Sequence, residues 1–135
     1  MTVPEMPPEV AAVLDRYPAQ ARVKLLELRK ILFEEAERLE VGALQETLKW
    51  GEPAYLTPIS KAGSTIRMAW KPKKPETCSL FFSCNTDLIA RMRETFPVEF
   101  QYVGNREVSF PIEEDLPDFA ARAIVGMALT YHRAK

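Results

Sequence analysis

Lys49, Trp50, Glu52 and Tyr55 fall within the seven positions of "KWGEPAY", which set a cation, an anion and two rings around Gly51 and Pro53. Glycine permits backbone turns that other residues resist. Proline holds the residue before it, Glu52, in extended geometry. The stretch therefore reads as a rigid corner leading into a strand. In this reading Trp50 closes the core, while Lys49, Glu52 and Tyr55 border a cleft. Arg67, on a polar strand face, and Trp70, beside a run of lysines, complete the ligand-binding set. The chemistry such a set offers is recognition. Arg67 or Lys49 supplies charge-assisted hydrogen bonds, and a ring supplies a stacking surface for a small anionic or planar ligand.

Other reactive side chains are less suggestive. Cys78 and Cys84 lie six residues apart in one extended stretch, roughly 20 Å at strand rise, beyond the reach of a disulfide. Both read as buried, reduced thiols on the apolar side of a strand. His132 is the only histidine and lies three residues from the end of the chain. Glu34, Glu35 and Glu37, and again Glu113, Glu114, Asp115 and Asp118, offer oxygen ligands to a hard cation. The simpler reading is a solvated helix face for the first group and helix-dipole stabilisation for the second. Lys61, Arg67, Lys71, Lys73 and Lys74 gather near Trp70 and would suit a single-stranded nucleic acid. A solvated hairpin is the simpler account, and the formal net charge of −1 argues against a nucleic-acid role. No Gly-rich phosphate loop is present. The sequence assigns no catalytic residue, no metal ligand and no cofactor, and leans away from an enzyme.

These residues must be positioned by recognisable elements. "EVAAVLDRY" follows Pro7 and Pro8 and reads as a short helix. "AQARVKLLELRKILFEEAERLE" places Ala21, Leu25, Leu28, Leu32, Ala36 and Leu39 at three-and-four spacing. Leu26 and Phe33 broaden that stripe, Lys24 and Arg29 lie off it, and Gly42 is the expected stop. From about Ala54 to Ile112 the period becomes two. Ile66, Met68 and Trp70 alternate with polar neighbours, as do Cys78, Leu80, Phe82 and Cys84, then Phe100 and Tyr102, then Val108, Phe110 and Ile112. One-sided alternation predicts antiparallel strands covered on one face. "KAG" at 61–63 and "GNR" at 104–106 are turn candidates, and "KPKKPE" at 71–76 is a wider loop. "NTDLIARMRETF" reads as a helix capped by Asn85 or Thr86. A last helix begins near Asp115, its expected cap, with Phe119, Ala123, Ile124, Met127, Ala128 and Tyr131 on its inner side. Val125 and Leu129 leave a second apolar flank, which offers either a surface for a homodimer or a flank for the N-terminal helices to bury. The predicted class is α+β in two layers, a mainly antiparallel sheet with helices on one face.

The 135 residues read as a single domain, 1–135, of ordinary globular composition, 47% hydrophobic and 27% charged. No export signal and no membrane-spanning run is evident, so a cytoplasmic protein without a membrane partner is expected. Lys49, Trp50, Gly51 and Pro53, with aromatic Tyr55 behind them and a long amphipathic helix ahead, resemble the "K-W-G-x-P" mark of the YdhG-like family, domain of unknown function 1801. The "SLFFS" strand with its following helix, and the "EVSFPIEEDLP" entry to the last helix, match the family's order of elements. The resemblance spans roughly residues 10–133. It implies a small α+β protein without established catalytic residues, and some relatives are described as frataxin-like iron chaperones. The basic "KPKKPE" loop and the "STIRMAW" strand depart from the common pattern. The functional expectation is a module that binds a small molecule or a protein without catalysis. The alternative implied by the resemblance is an intracellular iron chaperone.

Overall fold

The computed structural model describes residues 3–133. Two helices, α1 (Pro8–Asp15) and α2 (Ala19–Arg38), lead into four strands, β1 (Gln45–Lys49), β2 (Glu52–Leu56), β3 (Ile66–Trp70) and β4 (Thr77–Phe81). Then come α3 (Leu88–Thr95), β5 (Gln101–Val103), β6 (Glu107–Pro111) and α4 (Asp118–Leu129). The strands form one sheet in the order β1-β2-β3-β4-β6-β5, with every neighbouring pair antiparallel. This is the expected two-layer α+β architecture.

Register explains why only one face is covered. Tyr55 pairs with Ile66, Met68 with Leu80, and Cys78 with Phe110, so their side chains share a face. All six, with Phe82 and Val108, belong to the buried core beneath the helices. The opposite face carries the row Ala54, Arg67, Phe81 and Glu107, with Ser79 paired to Ser109 beside it. Ala54, Ala69, Ser79 and Ser109 are buried there although no helix covers them, because small side chains lie below their larger neighbours.

The stripe of α2 is broader than its apolar periodicity. Ala21, Leu25, Leu28, Leu32, Phe33 and Ala36 are buried as expected, but so are Lys24, Arg29 and Glu35, while Leu26 is exposed. The charged members are buried because each finds a partner. Lys24 Nζ donates to the Glu114 carbonyl at 2.8 Å, and Arg29 pairs with Glu46. Gly42 does not stop α2. The backbone turns left-handed two residues earlier, at Glu40 (φ 54°), and the amides of Glu40 and Val41 return to the carbonyls of Glu37 and Ala36. Arg133 completes this terminus by donating to the carbonyls of Leu39 and Glu40 at 2.7 and 2.9 Å.

α4 corrects three expectations. Asp115 does not cap it. Pro117 occupies the cap position, with no side-chain hydrogen bond. Phe119 does not face inward and is 81% exposed. Val125 and Leu129 are wholly buried, because α4 packs along α2 on that flank. The flank that offered a homodimer surface is therefore core. Gly126 permits the close approach, since an added Cβ would stand 3.3 Å from Leu39 Cδ1.

Candidate functional site

The "KWGEPAY" stretch is a hairpin rather than a corner. Lys49 pairs with Glu52, so Trp50 and Gly51 form a two-residue turn between β1 and β2. Both have positive φ, 56° and 75°, the signature of a type I′ turn. β1 was not evident as a strand in the sequence. Its residues Gln45, Glu46, Thr47, Leu48 and Lys49 are mostly polar, and an edge strand with one partner shows little apolar alternation.

This geometry redistributes the expected site residues. Trp50 does not close the core. Its turn projects from the end of the hairpin, and the residue is 89% exposed. Tyr55 does not border a cleft. It is wholly buried, edge-on to Phe33 at 6.0 Å, and its hydroxyl donates to Glu46 Oε2 at 2.7 Å. Burial and the nearby Glu46 carboxylate raise the Tyr55 pKa far above its usual value. Trp70 lies on the helix-covered face, 6.0 Å from the Tyr17 ring, and its Nε1–H donates to the Pro75 carbonyl at 3.0 Å. Glu52 is buried on the open face, where it accepts from Arg67 Nη1 and pairs with Lys71 Nζ at 2.8 Å. Arg67 and Lys71 both stand over the Phe81 ring, 5.3 and 5.4 Å from its centroid. The Ser79 hydroxyl, on the same face, donates to Glu107 Oε2 at 2.7 Å.

A cleft of about 270 Å³ does form, and it brings together Lys49, Trp50 and Arg67. Phe81 comes from the open sheet face, and Thr65, Ser83, Cys84 and Arg106 come from connecting segments. No carboxylate lines the cleft. The side chains of Lys49 and Arg106 make no ion pair or hydrogen bond among the described residues. Two unpartnered cations and a third held by Glu52 thus face a common space beside an exposed indole. Arg106 was missed because it sits in the "GNR" turn, where an arginine carries no periodic signal.

Cys84 corrects the reading of the thiols. β4 ends at Phe81, so the alternation does not continue to Cys84, which is exposed in the loop before α3. Cys78 is buried as expected, and burial pushes its thiol up to about 12. Three of the acidic residues, Glu34, Glu35 and Asp118, are committed to arginines. Arg122 pairs with Glu34 at 2.8 Å and with Asp118 at 2.9 Å, and Arg38 pairs with Glu35 at 2.7 Å. Among the described residues no group of three or more His, Cys, Asp or Glu is placed to hold a metal ion.

A larger concavity, about 340 Å³, lies at the C-terminal end of α2 between Pro4, Phe33, Ala36 and Leu44. Its only charged side chains are Glu37 and Glu40, and it touches none of the six expected residues. The smaller cleft is the better candidate, because specific recognition needs converging polar groups as well as volume. Among the described residues no helix is long and apolar enough to cross a membrane. Comparison with protein families, curated proteins and solved structures finds no match for this chain.

Proposed function

We propose that this chain is a small non-catalytic binding module for an anionic small molecule, held in the cleft by Lys49, Arg67 and Arg106. The observation that carries this reading is the pair of unpartnered cations, Lys49 and Arg106, on a cleft with no carboxylate in its lining. Charged groups that converge without partners repel one another, and an anion relieves that repulsion while forming charge-assisted bonds. Arg67 contributes direction. Glu52 anchors Nη1, and the Phe81 ring supports the guanidinium from below. Thr65 and Ser83 add hydroxyls to the lining. The resemblance to YdhG-like domains supports the same reading, since it implies a small α+β protein without established catalytic residues.

Isothermal titration with inorganic phosphate and with sulfate tests the proposal. Binding is expected to weaken at least tenfold in Lys49→Ala/Arg106→Ala, with the fold intact by circular dichroism. Equal heats for the variant and the parent chain would reject it.

A further inference from the structure

We infer that the ligand is a nucleoside monophosphate, with its phosphate between Lys49 and Arg106 and its base stacked on Trp50. This rests on the anion-binding reading above and names the chemical class that the same cleft selects. Four observations converge on it.

The first is the placement of Trp50. A two-residue type I′ turn favours Asn or Asp before Gly, because both central residues take positive φ. A bulky residue at φ 56° is a backbone outlier, and this one leaves its ring 89% exposed. Neither local propensity nor packing accounts for an indole there. Sites that break local rules without a structural gain are where function is expected. What the placement achieves is a large planar surface at the mouth of a cationic cleft.

The second is charge. Lys49, Arg67, Lys71 and Arg106 stand in or beside the cleft, against the carboxylates of Glu52 and Glu107. The cations exceed the carboxylates by two. A phosphate monoester carries about −1.5 to −2 at neutral pH and so matches that excess, which a simple carboxylate does not.

The third is size. At about 270 Å³ the cleft falls just below the usual range of roughly 300–1,000 Å³ for enclosing a whole small ligand. Phosphate and sugar fit inside, where Thr65 and Ser83 offer hydroxyls, and the base is left outside against Trp50. The fourth is the solitary platform. Single strands are held by successive aromatic rings along a basic groove. Here one exposed indole serves the cleft, and Trp70 is turned to the covered face.

Isothermal titration of adenosine 5′-monophosphate, ribose 5-phosphate and inorganic phosphate, against the parent chain and Trp50→Ala, decides the matter. Stacking contributes about 1–3 kcal/mol per base, or roughly 5- to 150-fold in affinity. The parent should therefore bind the nucleotide at least 5-fold more tightly than ribose 5-phosphate, and Trp50→Ala should bind the two equally. Equal binding of the two by the parent would overturn the nucleotide assignment and leave the anion site standing. Absence of binding by all three would overturn both readings. Affinity for oligothymidylates that rises steadily with length, and exceeds that for the mononucleotide, would replace the nucleotide with a strand.

Discussion

Arg29 on α2 and Glu46 on β1 meet as a two-point pair at 2.6 and 2.8 Å, with both side chains buried. The Tyr55 hydroxyl donates to the same carboxylate, and Arg29 also donates to the Pro4 carbonyl at 2.8 Å and lies over the Phe33 ring. One ionic node thus ties the N-terminal segment, the long helix and the edge hairpin together. Removing one member strands a charge in the core, which typically costs 3–5 kcal/mol. Glu46→Ala is expected to destabilise by about that amount in urea denaturation. Arg29→Met/Glu46→Leu should recover much of the loss, because it removes both charges.

Trp50 is expected to behave as an exposed turn residue. A buried tryptophan cut to a small side chain costs about 3–5 kcal/mol. Trp50→Asn should instead raise stability by about 0.5–1 kcal/mol, since Asn tolerates the left-handed conformation the turn requires. The same denaturation assay checks this, and a loss above 2 kcal/mol would show that the ring is packed.

Gly63 touches the end of the last helix. An added Cβ would lie 2.9 Å from the Leu129 carbonyl oxygen and 3.0 Å from its Cα, both backbone atoms that do not yield cheaply. Gly63→Ala should therefore cost about 1–3 kcal/mol, in the range of overpacked sites. Thermal unfolding followed at 222 nm would measure it.

The two thiols should separate cleanly. Cys84 is exposed and should react with a thiol reagent in the native state, while Cys78 should react only on unfolding. Burial raises Cys78 from 9.0 to about 12, so its thiolate forms more readily in the unfolded chain. Its contribution to stability is complete below pH 9 and is lost as pH rises from about 9 to 12, at about 1.4 kcal/mol per pH unit. Tyr55, also raised by burial, adds to the loss at the upper end of that window. Cys78→Ala should flatten the slope of stability against pH where it begins, near pH 9.

The covered face of the sheet was legible because burial imposes a period of two on Met68, Leu80 and Phe110, and nothing else in the chain competes with that pattern. β1 was not legible, since a polar edge strand imposes no such period. The direction of the tryptophan and tyrosine side chains was misread for a related reason. Composition shows that Trp50 and Tyr55 are rings near a turn, but only the register of Lys49 with Glu52 and of Tyr55 with Ile66 decides which one turns inward. Lys49 and Arg67 were found because one stands in the "KWGEPAY" stretch and the other on a strand whose alternation marks its polar face. Arg106 escaped because two strands of sheet, β3 and β4, separate β2 from β6, and proximity of that kind leaves no trace in spacing.

The loop between β2 and β3 is fastened to the far end of the chain. The Ser64 amide donates to the Ala128 carbonyl at 2.9 Å, and the His132 amide donates to the Ala62 carbonyl at 2.8 Å. During synthesis the first four strands emerge well before residues 128–132, at a pace of about 5–20 residues per second. For several seconds the hairpins stand without the helix that anchors their connection, and the apolar face of the sheet lacks part of its cover. The nascent chain passes through a stage at which its strands are made but its core is open, and that stage is when a chaperone has most to gain by holding it.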